Sequence, residues 1–309
     1  MLSETSHSSN RLAANPNDDP YTGCPSEGRN QWQHHQRPPL IYAGNKSSYG
    51  AVLRAFGPKD WRRFTLVDPF VGSGGLLLAA PDCAGYEASD INSDVVKVLE
   101  DARDRPLELI SELGELFVPE NNTDARYRLL KSEFNSHESS FSRSALFVFL
   151  NRHGFNGLVR YNRRGEFNVA FGKRRRPHLP NAEILALSAF LQQRRVSLST
   201  CDFKTKLSAI RTRSVIVIDC PYLGEDGAAA AGIYRVGDFG EEEQKRLAAL
   251  AHELARDGHY VIAFNYASSR TRELHHQATE LHELNARTRI APTAAGRGAV
   301  RELVAVYRP

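Results

Sequence analysis

The sequence predicts an α/β fold, a mostly parallel sheet covered by helices on both faces and interrupted by a mainly helical insertion. Three observations carry this expectation. Short apolar runs alternate with helix-like patterns early in the chain and again late in it; the alternation stops over residues 101–205; and the strand-like runs end on Asp or run into Gly, the residue types found at the ligand edge of doubly wound sheets.

Taken in order, residues 1–36 are rich in Ser, Asn, Asp, Gly, Pro and His with almost no apolar periodicity, the composition of a disordered polar tail. Thr65 to Val71 is an apolar run that reaches a Gly cluster, and LLLAA after it reads as a helix. Gly85 to Asp90 forms a second strand leading into INSDVVKVLEDA, a helix with Asn92 or Ser93 as its cap. Later come a strand at SVIVID (Ser214 to Asp219), a helix from about Glu241 to Arg256, a strand at YVIAFN (Tyr260 to Asn265) and a last strand at ELVAVY (Glu302 to Tyr307). Residues 37–100 and 206–309 are expected to form one domain and 101–205 a second, smaller one, with a Gly, Asn and Arg-rich loop from His153 to Arg176.

The 309 residues carry a formal net charge of only +4, so the position of the basic residues matters more than their sum. Between Arg143 and Arg176 nine Arg or Lys residues stand against the single acid Glu166. The four cysteines are widely separated, which argues against a disulfide framework and a zinc site and suits a reducing cytosol. No apolar run approaches the length of a membrane span, and the first residues lack the apolar stretch of a signal peptide, so the protein is expected to stay in the cytoplasm, with neither membrane nor metal as a partner.

Three stretches carry chemistry. DPFVGSGG (Asp68 to Gly75) lies at a strand end before a helix, where glycines let a ligand approach the backbone; a tight strand-to-helix turn is the weaker, bland alternative. It is not the dinucleotide fingerprint, because counting GxGxxG from Gly72 brings Leu77 to the last position. Asp90 ends the next strand, where an acid can grip ribose hydroxyls or merely cap a helix. DCPY (Asp219 to Tyr222) brings a carboxylate, a carbonyl and an aromatic ring to the sheet's ligand edge. That trio suits an amino group on a flat ring: Asp219 and the Cys220 carbonyl can each accept one of its hydrogen bonds while Tyr222 stacks on the ring. An ordinary loop after a buried strand is the bland alternative. NRHGFNGLVRYNRRGEFNVAFGKRRRP (Asn151 to Pro177) mixes Arg, Asn, aromatic and Gly residues as base-reading loops do, whereas its KRRR end suits phosphate contacts.

The succession AGNK (Ala43 to Lys46), DPFVGSGG, DINSD, LNRHGFNGLVRYNRRGEFNVAFG, DCPY and RELVAVYRP resembles the Dam-type DNA adenine-N6 methyltransferases over about residues 38–309. The long central string is the most specific element. The resemblance implies a Rossmann-like methyltransferase sheet with an inserted, mainly helical DNA-recognition domain, S-adenosyl-L-methionine as methyl donor, and N6 of adenine in double-stranded DNA, typically within GATC, as acceptor. It implies catalytic roles for Asp219, Cys220, Pro221 and Tyr222. It implies a cofactor site from Tyr42, Ala43, Gly44, Lys46, Asp68, Phe70, Gly72, Gly74, Asp90, Ile91 and Asp219, with Asp202 and Phe203 returning from the insertion to flank the cofactor adenine. DNA contacts fall to Arg152, Phe155, Asn156, Gly157, Leu158, Arg160, Asn162 and Arg174.

The departures from the family pattern are informative. Its active-site motif normally reads DPPY, and the first Pro is here Cys220; a carbonyl is still offered, but the fixed φ of proline is lost, so weakened activity is expected. A cytosine-C5 chemistry would want Cys after Pro rather than before it. Ile41 stands where the family usually has Lys, Ala170 where it has Pro, and Arg174 where it has Tyr. The missing Lys and Tyr serve the first guanine of GATC in the family, which leads to the expectation of relaxed reading there, unless Arg174 substitutes as a guanine donor. A DNA-binding protein that has lost methyl transfer, and a methyltransferase acting on RNA or protein, are the rival readings.

Overall fold

The computed structural model describes residues 37–42, 44–136, 141–223, 239–288 and 298–309. The polar segment 1–36 and Ala43 lie outside the described residues. Along the chain the elements are α1 (Gly50–Phe56), β1 (Thr65–Asp68), α2 (Gly75–Ala79), β2 (Gly85–Asp90), α3 (Ser93–Asp104), α4 (Pro106–Leu116), α5 (Asp124–Ser136), α6 (Phe141–His153), α7 (Asn181–Gln193), β3 (Ser197–Thr200), α8 (Phe203–Ser208), β4 (Ser214–Ile218), α9 (Glu241–Arg256), β5 (Tyr260–Tyr266), α10 (Ser269–Leu274), β6 (Glu280–Thr288) and β7 (Gly298–Tyr307).

Seven strands form one sheet in the order β3-β2-β1-β4-β5-β7-β6. The first five are parallel, and β7 runs antiparallel between β5 and β6. Strand order reverses between β1 and β4, the switch point at which open α/β sheets bind ligands beyond their carboxyl ends. The strand β4 is buried at every position because helices cover both faces. Its alternate residues Val215 and Val217 belong to one core with Leu66, Phe264 and Val304, while Ile216 and Ile218 pack with Val67 of β1 and with Phe203, Leu207, Leu247 and Ala251 from α8 and α9.

The helix α6 explains how the insertion is anchored. From Ser144 to His153 every residue is buried; Ala145 to Leu150 is apolar on all sides, as expected of a helix that lies among other helices. It packs against α3, α4 and α5, so the inserted helices share the larger core. Asn92 caps α3 by accepting from the Asp94 amide, 3.0 Å.

The expected strands are present with shifted ends: the first stops at Asp68, because the chain turns at once into the glycine loop, and the last begins at Gly298. Two strands escaped the sequence reading. β3 extends the sheet from within the stretch expected to be helical, and β6 closes the far edge. Both are short or polar strands with little apolar alternation to betray them, and the cross-strand partner supplies the order. Among the described residues no helix is long and apolar enough to cross a membrane.

Candidate active site

Three adjacent strands, β2, β1 and β4, end in Asp90, Asp68 and, one residue on, Asp219. All three carboxyl groups have pKa values raised above the ordinary carboxylate range, burial being the largest cause for each. Asp68 is shifted furthest; the Phe70 amide opposes the shift, and the negative charges of Asp219 and Asp90 add to it. Asp68 Oδ1 accepts from that amide at 3.1 Å, while Oδ2 is buried without a hydrogen bond.

Asp90 holds the glycine loop. Its Oδ2 accepts from the Gly72 amide at 3.0 Å and its Oδ1 from the Asn92 amide at 2.9 Å. Gly72 adopts φ +48°, and a Cβ there would lie 2.8 Å from the Tyr42 ring, so a side chain is excluded by both backbone and neighbour. Gly74, φ +85°, is the N-cap of α2. Beyond the loop Phe70 stacks on Phe203, centroids 5.6 Å apart, with Phe239 edge-on to both. Ile91, the residue after Asp90 at the end of β2, is 44% exposed.

Asp219 faces Lys46. The Lys46 ammonium lies 3.2 Å from Asp219 Oδ1 and 3.4 Å from Glu302 Oε1, donates to the Gly44 carbonyl at 2.9 Å, and sits 5.0 Å from the centre of the Tyr222 ring. Burial alone would lower the Lys46 pKa, but the two carboxylates hold it above the ordinary lysine value, so the ammonium stays charged. The Tyr49 hydroxyl donates to the other Glu302 oxygen at 2.5 Å. Tyr222 meets Tyr266 edge-on at 4.9 Å, and burial is the main cause of its strongly raised phenol pKa. Cys220 is buried, and burial pushes its thiol up to about 12, which removes it as a thiolate nucleophile.

The basic loop is a small hairpin with bridges Gly154–Phe171 and Tyr161–Phe167. At its head Phe155 is 45% exposed and Asn156 takes φ +54°. Gly157, φ +67°, presses so closely on Ile41 that a Cβ would fall 2.4 Å from Ile41 Cγ2. The Asn151 side chain joins the two segments: it accepts from the Ile41 amide and donates to the Ile41 and Gly157 carbonyls, at 2.8, 2.8 and 2.9 Å respectively. Tyr161 donates to Asp94 at 2.5 Å, and Arg143 pairs with the same carboxylate at 2.6 Å, tying the hairpin to the start of α3 beside Asp90.

A family model of the D12 class N6 adenine-specific DNA methyltransferases matches residues 42–290. The chain belongs to this family. It is 36% identical over 271 residues to proteins named DNA adenine methylase from Escherichia coli K12 and Salmonella typhi, covering 87% of this chain and 95% of each relative. The Vibrio cholerae protein of that name is 33% identical over 275 residues, 89% of this chain and 97% of the relative. The sheet is therefore a Rossmann-like methyltransferase sheet, and the enzyme is an adenine-specific DNA methyltransferase.

Of the residues singled out in this methyltransferase from sequence, Asp68, Gly72, Asp90, Lys46, Asp219 and Tyr222 come together at the switch point with Tyr42, Gly44, Phe70 and Phe203 around them. Asp202 lies at the same edge, but its carboxylate is engaged as the cap of α8, accepting from the Lys204 and Thr205 amides. Arg152 departs from expectation: its guanidinium is buried and donates to the Pro39 carbonyl, so it faces inward where a DNA contact needs it outward. Asn162 accepts from the Arg164 and Glu166 amides and shapes the hairpin turn. Arg160 is exposed and braced by Asn168 at 2.8 Å; Leu158 and Arg174 are half-buried. Sequence reasoning missed Glu302 and Tyr49. Glu302 had a signal, a lone acid next to the apolar run LVAVY, but nothing local says that Lys46 waits opposite it.

Proposed function

We propose that this enzyme transfers the methyl group of S-adenosyl-L-methionine to N6 of an adenine flipped out of duplex DNA, within GATC or a relative of it relaxed at the first base. The observation that carries the reading is the Lys46 ammonium between Asp219 and the face of the Tyr222 ring. A nitrogen bearing hydrogens is held there by a carboxylate beside an aromatic face, as an adenine amine would be.

The residues also fit the donor. Asp68 Oδ2 is buried and has no hydrogen-bond partner, which leaves an acceptor for a ligand, and the Asp90 carboxylate at the neighbouring strand end favours positive charge there. Tyr42, Gly44, Phe70, Gly72, Gly74, Asp90, Ile91, Asp202 and Phe203 would line it, with Phe203 and Ile91 offering apolar faces to its adenine. When bound, this group supplies an electrophilic methyl on sulfur. The chain's own residues do the remainder. Asp219 and the Cys220 carbonyl accept hydrogen bonds from the two amine hydrogens and localise the nitrogen lone pair, while Tyr222 fixes the plane of the base; once methylated, the nitrogen gives up one of those two protons. Lys46 yields Asp219 to the incoming amine and keeps Glu302 and the Gly44 carbonyl as partners.

Residues 101–205 would serve target recognition, with Phe155, Asn156, Gly157, Leu158 and Arg160 at the hairpin head. The relaxed first base rests on Ile41, an apolar side chain whose backbone is already held by Asn151 against that head. Incubation with S-adenosyl-L-methionine and unmethylated genomic DNA, followed by single-base mapping of N6-methyladenine, tests both parts. Methylation at NATC with several first bases supports them, GATC alone sinks the relaxed base, and duplex binding without methylation sinks the enzymatic reading of DCPY.

A further inference from the structure

The shape of DCPY is not fixed by its own residues, because Cys220 stands where a second proline would restrict φ. Two buried amides from elsewhere in the fold hold it. Gln244, in the first turn of α9, donates through Nε2 to the Pro221 carbonyl at 2.7 Å. Its Oε1 accepts from Asn265 Nδ2 at 3.0 Å, and Asn265 Oδ1 accepts from the Leu223 amide at 3.0 Å and the Tyr266 amide at 2.9 Å. The Cys220 sulfur lies 3.8 Å from Gln244 Oε1 and 3.6 Å from its Nε2. Gln244 is 2% exposed and Asn265 1%.

We propose that Gln244 and Asn265 are positioning residues for methyl transfer. They form a clamp that grips the backbone on both sides of Tyr222 and sets the direction of the Cys220 carbonyl. Pro221 and Leu223 flank Tyr222, so the two amides pin one carbonyl before it and one amide after it to α9 and β5. Hydrogen bonds thereby supply the preorganisation that ring closure at position 220 would otherwise give, and the thiol adds a weak third leg. The proposal rests on reading DCPY as the site of the adenine amine.

The test compares Gln244→Leu, Cys220→Pro and the double variant in methyl transfer to duplex DNA and in affinity for S-adenosyl-L-methionine and for DNA; maleimide labelling of Cys220, located by peptide mass spectrometry, compares Gln244→Leu with the unaltered chain. Gln244→Leu is expected to lower kcat about ten- to hundredfold with both affinities changed less than about threefold. Cys220 labelling rises about tenfold as the turn opens. Adding Cys220→Pro recovers much of the lost kcat, a larger gain than the same change gives in the unaltered chain, because the ring restores what the clamp lost. Asn265→Asp keeps the acceptor for Leu223 and Tyr266 but loses the donor to Gln244; it gives a smaller loss and stands in if Gln244→Leu fails to fold. Unchanged kcat per folded molecule together with unchanged Cys220 labelling overturns the clamp, as does an equal effect of Cys220→Pro in both backgrounds. A wild-type protein that transfers no methyl group defeats the functional reading instead, and the labelling result then decides the clamp by itself.

Discussion

Exchanging Lys46 for Met keeps a long apolar stem and removes one charge, leaving Asp219 and Glu302 facing each other in the core. The Lys46 side chain is 2% exposed, that of Glu302 6% and that of Asp219 20%, so water can do little to replace the lost ammonium. Removing one partner of a buried pair costs about 3 kcal/mol at the low end of the usual range. For a body of this size that corresponds to a fall in Tm of about 6 °C at neutral or higher pH. The sign with pH follows from the carboxylates. Burial raises the Asp219 pKa and Lys46 draws it back, so in the variant it rises further above its unfolded value. A carboxylate that binds its proton more tightly when folded costs stability above its unfolded pKa, and the cost grows as pH rises through the folded pKa. The Tm gap between wild type and Lys46→Met should therefore be widest near pH 8 and narrow towards pH 5, as the stranded Asp219 carboxyl takes up its proton. Thermal unfolding by circular dichroism from pH 5 to 8 measures this. A gap that stays constant with pH, or a variant as stable as wild type at pH 8, would refute the buried pairing.

Three further outcomes follow from the same geometry. Asp219→Ala removes an acceptor aimed at the target amine and should lower kcat at least about a hundredfold while duplex binding in a gel-shift assay is retained. Ile41→Lys restores a donor beside the recognition head and should sharpen preference for guanine at the first position by about tenfold, read as the GATC to NATC ratio in methylation mapping. Gly72→Ala forces a side chain into a left-handed backbone against the Tyr42 ring; calorimetry should show S-adenosyl-L-methionine affinity reduced about tenfold, with about 1–2 kcal/mol lost in denaturant unfolding.

The sequence by itself determined the alternating architecture, the strand ends that carry Asp68, Asp90 and Asp219, the cap at Asn92 and the family to which the chain belongs, because each is written in local periodicity or in a contiguous motif. Tertiary structure alone decided which distant groups share a site. Tyr49 and Glu302 meet across 253 positions, and Lys46 is held between β4 and β7 by carboxylates that no spacing rule connects. Arg152 shows the converse. Its sequence neighbourhood suggests a DNA contact, but it sits on a helix surrounded by other helices, and packing turns its guanidinium to the Pro39 carbonyl. Gln244 and Asn265 were invisible for the same reason: a polar side chain reads as surface until the fold buries it, and only the buried neighbours reveal which backbone it holds.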